Sequence, residues 1–397
     1  MRMKRFVVVQ ICLVLLCSCS RSPLTVSPAL VPDSGPSVIR LTGLPLGLAV
    51  AQYDGQPLDL QRDGADYRVV VPQRPPGRYL LVVDDYEAAI EVKPGRLQVS
   101  VLDVGQGDAT LIKTPAGQTI LVDSGPPEAV GELRAALQRH GVTALDWAIA
   151  THMDADHIGG FAGLVAGADG QVGTFDDLKV QRWRDSGDAV SCTSQACADY
   201  RAVANGREQI EPADDLELLG GFEMKVLARA GEVMGRGTVP ATGDRPASTA
   251  DDNARSVVLL LQLNDFKMLM MGDLTGGGLS SPDVEALLAP SLGRVTVLRA
   301  GHHGSRTSSS GAFVAATAPQ VSLLSYGEDN RHCHPVEDVV ARLASVGWVY
   351  GTNRSPSSGC PSWSWPERGA DQCGEIRVQT AKGRQFTVEC AGQSVTF

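Results

Sequence analysis

Hydrophobic positions fall into three regimes along the chain. From Phe6 to Leu16 they run almost without break (FVVVQICLVLL), just after the basic residues Arg2, Lys4 and Arg5. Such a run is too short to span a bilayer and has the length of the apolar part of an export signal. From residue 38 to 95, short runs (VIRLTGL, LAVAQYD, YRVVV, RYLLVVDD, AAIEVK) are punctuated by Gly and Pro. That pattern predicts a small all-β module. From Leu97 onward, strand-like and helix-like periods mix. LQVSVLDVGQGDATLIKTPAGQTILVDSG reads as three strands with tight turns. Residues 128–140 have helical spacing and stop before Gly141. LDWAIATH is a buried strand, and GGFAGLVAG starts a helix. SVVLLLQLNDFKMLMMGDL is a hairpin turning at Asn264-Asp265. RVTVLRAGHHGS is a strand ending in histidines, and SSSGAFVAATAP a helix. VSLLSYG is a strand, VEDVVARLASVG a helix after Pro335, and EIRVQTAKGRQFTVEC a closing hairpin. Two halves of this kind predict an α+β fold over residues 97–397, a four-layer αββα sandwich. Residues 165–250 are rich in Gly and Asp and read as an irregular insertion with a few strands, FEMKVLAR among them.

Composition changes the picture mainly at the two ends. Leu16-Cys17-Ser18-Cys19 resembles a lipobox, which implies a signal over residues 1–19 and lipidation of Cys19. Ser20, following the acceptor, points to the outer membrane, with the protein facing the periplasm. Residues 20–37 (SRSPLTVSPALVPDSGPS) read as a Ser/Pro tether. No later segment is long and apolar enough to span a bilayer, so lipid alone would make the membrane attachment. The 35 basic residues, less Arg2, Lys4 and Arg5, leave 32 against 45 acidic ones. That balance opposes nonspecific attraction to nucleic acid. Nine cysteines, less Cys12, Cys17 and Cys19, leave six, an even number that predicts disulfides in an exported chain. Cys192 and Cys197 enclose a small loop and are expected to pair. The remaining four allow three pairings, of which Cys360–Cys373 is the one expected.

The chemistry concentrates in THMDADHIGG. His152, Asp154, Asp156 and His157 lie within six residues. Two carboxylates this close repel each other unless a positive charge lies between them, so the cluster predicts a metal ion. Asp123 (LVDSG), Asp273 (MMGDL), His302-His303 (AGHHGS) and His334-Pro335 also sit at predicted strand ends, where loops on rigid strands collect active-site groups.

These segments resemble the metallo-β-lactamase superfamily, and their wording is similar to the hydrolase domain of ComEC-type DNA-uptake proteins: LDVGQGDATLI, ILVDSG, THMDADHIGG, DNARSVVLLL, LMMGDL, GHHGSRTSSS and HPVEDVVARL. The resemblance spans about residues 97–390 and excludes any channel helices. It implies two divalent metal ions, zinc or manganese, with magnesium a further candidate. Carboxylate at Asp154, in place of an imidazole, shifts preference away from zinc. By the match, His152 and Asp154 face one metal and Asp156 and His157 the other, and Asp273 bridges both. No histidine lies between His157 and His302, so His302 or His303 is expected to substitute for the family's middle ligand. The assignment adopted makes His302 a ligand, with Asp156, His303 and His334 in catalytic roles. Asp123 would orient a ligand histidine. Asp108 would sit behind the site or against substrate, and the backbone of Gly304 and Ser305 would cradle a phosphate. His140 and His332 read as surface residues. Asn253 and Ser256 fit the match without a chemical role.

The implied activity is metal-dependent hydrolysis of a phosphodiester at the cell envelope, with DNA among the candidate substrates. A phosphodiester of envelope lipid or wall polymer, as in phosphocholine esterases, keeps the same chemistry. β-lactam hydrolysis fits the motifs less well. A binding lipoprotein with a degenerate site is the alternative from another class, and metal content distinguishes it.

Overall fold

The computed structural model describes residues 22–27, 29–33, 36–45, 47, 50–93, 95–187, 192–216, 221–238, 252–279, 281–328, 330–355 and 359–397. The expected export signal and its acceptor Cys19 lie outside the described residues. The chain divides into two compact units.

The first unit takes in the described residues within 22–30, 38–71 and 78–91. Its strands are mainly antiparallel, and their alternating burial follows the sequence. Asp66–Val71 buries Tyr67, Val69 and Val71 on one face, and Gly77–Val83 buries Leu81 and Val83. The stretch read as a tether departs from that reading. Thr25–Ser27 pairs antiparallel with Ser37–Thr42, Val26 opposite Leu41, and Ser22 and Pro23 pair with Tyr86 and Glu87. Leu24 is buried. Pro23 and the serines sit at sheet edges, where Pro is tolerated, so a loop-like composition is compatible with pairing.

The second unit holds two large sheets. In one, Glu208–Gln209, Lys179–Asp185, Ala144–Ile149, Thr119–Val122, Thr110–Lys113, Leu97–Val101, Ile376–Thr380, Phe386–Cys390 and Gln393–Thr396 follow in that order. The other runs through Phe222–Arg229, Val258–Leu263, Phe266–Met270, Val297–Arg299, Val321–Leu324 and Trp348–Gly351, with short strands at its ends. One apolar cluster draws on both sheets (Val99, Ile120 and Ile149 with Val226, Leu261 and Val297). A second lies between the first sheet and the helices Val130–Arg139, Ala155–Val165 and Gln195–Val203. A third lies under Glu285–Leu292, Gly311–Thr317 and Glu337–Ala344. Three cores between four layers make the αββα sandwich. The central strands are apolar on both faces because each sheet is covered on both sides.

The region read as an insertion is more deeply built in than its composition indicates. Lys179–Asp185 pairs in parallel with Ala144–Ile149 and is a strand of the main sheet. Its sequence, KVQRWRD, hides this. Trp183 packs edge-on against Phe161 and Tyr200, while Arg182 and Arg184 each lie 5.0 Å from the Trp147 ring. The Gln195–Val203 helix is N-capped by Ser194, which accepts from the Cys197 N–H.

The Cys192–Cys197 disulfide forms as expected, but the other four cysteines pair Cys333–Cys360 and Cys373–Cys390. Tertiary contacts override chain proximity. Cys373 N–H is hydrogen-bonded to the Gly351 carbonyl, and Ala391 N–H to the Cys373 carbonyl, which sets Cys373 beside Cys390.

His140 is buried rather than on the surface. Its Nε2 lies 2.8 Å from Glu375 Oε1, its Nδ1 meets Gln98 and its carbonyl accepts from Lys113. Burial pushes the Glu375 carboxyl up, but the His140 hydrogen bond and charge outweigh this and hold it at about 2. A folded value below the unfolded one of about 4.3 gives stability present above about pH 5 and lost as pH falls towards 2. Glu375→Gln is expected to cost about 1 kcal/mol at pH 7, discounted for partial exposure. Urea unfolding at pH 7 and pH 4 checks this, because a penalty that stays constant with pH would contradict it.

Candidate metal centre

The opening motif places its groups because a helix starts inside it. The strand Ala144–Ile149 leads into the motif, and the helix Ala155–Val165 begins with Asp154 as its N-cap residue. The Asp154 carboxylate makes no capping bond, which leaves it free for the cavity. Asp156 lies in the first turn, where the helix dipole favours negative charge. His157 turns inward and is fully buried. The second glycine of the motif is required by packing: a Cβ on Gly160 would lie 2.2 Å from the Ser124 carbonyl oxygen.

Three imidazoles are locked with Nε2 free. His157 Nδ1 donates to Asp123 Oδ2 at 2.8 Å. His303 Nδ1 donates to the Ser325 carbonyl at 3.0 Å. Thr151 Oγ1 gives its hydrogen to Asp123 Oδ2 at 2.7 Å, so the 3.1 Å contact from His152 Nδ1 is a donation to Thr151. Asp123 also accepts the Thr151 N–H and is itself buried. Each acceptor holds the proton on Nδ1 and leaves the Nε2 lone pair to point inward.

These lone pairs converge on carboxylates. His157 Nε2 is 3.1 Å from Asp273 Oδ1 and 3.3 Å from His303 Nε2. His303 Nε2 is 3.3 Å from Asp156 Oδ2 and 3.6 Å from Asp273 Oδ2. His152 Nε2 is 3.7 Å from Asp154 Oδ2 and 4.0 Å from Asp273 Oδ2. His152 Nε2 is buried without a hydrogen-bond partner. Facing acceptors at such distances repel unless a cation lies between them. Two triads meet that description, His152 with His157 and Asp273, and Asp156 with His157 and His303. Burial opposes a charge on His157 and His303, yet the neighbouring carboxylates raise both above the usual histidine range. Burial likewise opposes ionisation of Asp156 and Asp273, and the imidazoles outweigh it and hold both low. The donor set therefore fits divalent metal.

Several expected roles change. His303, read as catalytic, sits among the candidate ligands. His302, read as a ligand, has its Nε2 3.7 Å from Asp273 and 3.2 Å from Asn253 Nδ2, and its Nδ1 meets Thr307. Both residues hold left-handed φ, 50° and 53°, a costly conformation that turns the two rings to different partners. The pairing by chain order gives way as well, since His157 falls in both triads. Gly304 and Ser305 N–H groups do not cradle a phosphate, because they donate to the Gly301 and His302 carbonyls. The glycine is needed for a different reason: its φ is 81°, and a Cβ would lie 2.5 Å from Pro335. The helix that follows starts only at Gly311, capped by Ser310. Asp108 does not reach substrate space; it is buried in an ion pair with Arg299. Burial and then His303 and His302 lower His334 to about 3.

The centre lies on a cavity of about 470 Å³ lined by Asp154, Asp156, Asp273, His302, His303 and His334. Sequence reasoning missed His332, which stacks on His334 with ring centroids 5.6 Å apart. Arg331 is the single Lys or Arg among the described lining residues. Adjacent NRHCHP letters were the available signal. Ser256, left without a role, accepts the Asp273 N–H at 3.0 Å and fixes that backbone.

The sequence profile of the metallo-β-lactamase superfamily matches residues 102–188. The fold is the metallo-β-lactamase fold. The chain is similar to Competence protein ComA of Neisseria gonorrhoeae, at 29% identity over 63% of this chain and 30% of that protein. It is similar to ComE operon protein 3 of Bacillus subtilis, at 28% identity over 62% of this chain and 30% of that protein. The chain thus spans less than a third of the length of these curated relatives. Among solved structures, the metallo-β-lactamase fold protein YhfI of Bacillus subtilis aligns with a TM-score of 0.39 at 13% identity, covering 65% of this chain and 96% of that one. The metallo-β-lactamase-fold domain here is related to competence proteins, and most members of the superfamily are metal-dependent hydrolases.

Asp123→Asn tests the tautomer lock. An amide N–H would face His157 Nδ1, push the proton to Nε2 and remove a ligand lone pair. Metal affinity is expected to fall about 10- to 100-fold. Competition titration with a chromophoric chelator measures it, and an unchanged affinity would rule the lock out.

Proposed function

We propose that the domain is a metal-dependent phosphodiesterase. The observation that carries this reading is the convergence of three Nδ1-locked imidazoles and three carboxylates, of which Asp154, Asp156, Asp273 and His303 line one cavity. His152, His157, His303, Asp154, Asp156 and Asp273 would hold a pair of divalent cations, with manganese, magnesium and zinc as candidates for a donor set of this hardness. Such a pair supplies Lewis acidity at the phosphoryl oxygen and a water acidified near neutral pH. The chain's own residues do the rest. Asp123, Thr151 and Ser325 hold the imidazole protons away from the centre. His302 and His334, on the cavity wall, are placed to hydrogen-bond a phosphoryl oxygen or leaving group.

DNA is one candidate substrate, through the likeness to competence proteins. A diester of envelope lipid or wall polymer is the second, and the lining favours it, since a strand of nucleic acid would meet a single Arg among the described lining residues. Of the other basic residues near the site in sequence, Arg299 is committed to Asp108 and Lys113 to the His140 carbonyl. Attachment to the envelope through a lipid on Cys19 completes the proposal; among the described residues no helix is long and apolar enough to cross a membrane.

The test uses the chain without residues 1–19, with manganese, magnesium or zinc. Single- and double-stranded DNA and bis-p-nitrophenyl phosphate are assayed in parallel, with Asp156→Ala as control. Cleavage of DNA and the small diester, lost in the variant, supports a nuclease. Cleavage of the small diester alone directs the search to lipids and wall polymers. No cleavage and no bound metal would leave the binding-lipoprotein alternative.

A further inference from the structure

The catalytic cavity adjoins a second one of about 450 Å³, lined by Pro126, Pro127, Glu128 and Asn330 among others. The two share Gln106, Ala155, Asp156, Arg331 and His332. The stretch from Arg331 to His334 is therefore one part of the wall between them, with Gln106, Ala155 and Asp156 the other. Little packing holds the 331–334 stretch, because Arg331 and His332 are exposed. Asn330 braces one end: its side chain donates to the Gly327 and His334 carbonyls and accepts the His334 N–H. The middle of the wall is Cys333, with φ at 57°. A non-glycine residue keeps that conformation only where its surroundings impose it.

The disulfide to Cys360 acts there together with the Cys333 N–H bond to the Asn330 carbonyl and the Asn330 side-chain bonds to His334. Cys360 leads into the segment PSWSWP, which is moored to the second sheet. Trp365 Nε1 donates to the buried Val349 carbonyl at 3.2 Å. Its ring stacks on Trp363 and on Tyr326, with centroids 5.7 and 6.3 Å apart. A path thus runs from a sheet strand, by the Trp365 hydrogen bond and then covalently through the Trp segment and the disulfide, to the residue between His332 and His334.

We propose that the Cys333–Cys360 disulfide is a positioning element for the reaction, fixing the wall that carries Arg331, His332 and His334 against substrate. This rests on the phosphodiesterase reading above. The disulfide touches none of the candidate metal ligands, so its loss should separate positioning from metal binding.

The experiment compares wild type with the double variant Cys333→Ser, Cys360→Ser. Bound metal, kcat and KM for bis-p-nitrophenyl phosphate, and hydrogen exchange of the 331–336 amides are measured. The expected result is a fall of about tenfold or more in kcat/KM, as for a misplaced positioning group. Bound metal stays at the wild-type level and the wall amides exchange faster. The double variant Cys373→Ser, Cys390→Ser, whose disulfide lies in the core between the sheets, should leave wall exchange unchanged. Wild-type kcat/KM, unchanged exchange, or a fall that merely follows lost metal would overturn the proposal. If the double variant does not fold, partial reduction of folded wild type with a phosphine, with the freed thiols located by alkylation, asks the same question. A wild type without hydrolytic activity would refute the phosphodiesterase reading, while the exchange measurement would still report whether the disulfide orders the wall.

Discussion

Asp273→Asn should lower diester hydrolysis by about 10³-fold or more, the scale of several kcal/mol of lost charge stabilisation. The side chain is buried, and its oxygens lie 3.1 to 4.0 Å from the Nε2 atoms of His157, His303, His302 and His152. The amide has nearly the same shape, so packing is kept. It carries no charge, and its N–H groups would face lone pairs that the metal needs. Bound metal should fall together with turnover. Thermal stability of the metal-free protein should be unchanged or higher, because a buried carboxylate has been removed from a site where nothing but imidazole balances it. Elemental analysis, steady-state rates and metal-free melting curves test the three parts separately. Retained turnover with retained metal would remove Asp273 from the centre. Loss of turnover with a lower melting temperature would mean that the carboxylate serves the fold.

Arg299→Met should destabilise the domain by about 3–5 kcal/mol, the cost of leaving a buried charge without its partner. Arg299 is 1% exposed, pairs with Asp108, and donates to the Ala300 carbonyl at 2.8 Å. Asp108 is 5% exposed and its backbone N–H donates to the Asp156 carbonyl. The ion pair thus joins the end of the strand Val297–Arg299, just before the histidine turn, to the opening motif's helix. The further change Asp108→Asn should recover a large part of the loss, since the remaining partner is then neutral. Urea unfolding of the two single variants and the double variant closes a thermodynamic cycle. A coupling energy near zero would show that the pair is incidental.

Much of this was legible in the letters. The alternation in the first unit and the apolar runs of the central strands follow from burial on one face or on both. The crowding of His152, Asp154, Asp156 and His157 demanded a cation on charge grounds alone. Asp273 and His303 gave no such local signal, since a lone aspartate in a turn and a histidine before glycine are ordinary. The strand Lys179–Asp185 was missed because its buried face is built from Trp183 while arginines cover the rest. The tether reading failed because Ser and Pro are tolerated on sheet edges as well as in linkers. Disulfide partners followed strand neighbours and not chain distance, as Cys373 and Cys390 show. His140 looked exposed because nothing near it in sequence announces Glu375.

The sequence by itself determined the αββα class and the demand for positive charge at the opening motif. These depend on residue type and local spacing, which periodicity and Coulomb repulsion make readable. Only the tertiary structure decided which histidine nitrogens face the centre, which partners His302 and His303 reach, and that Asp108 belongs to Arg299. A tautomer is set by the group across a hydrogen bond, and that group (Asp123, Thr151 or Ser325) comes from wherever the fold brings a strand end. A turn of left-handed backbone at His302 and His303 sends adjacent letters to different partners, and no one-dimensional pattern records that.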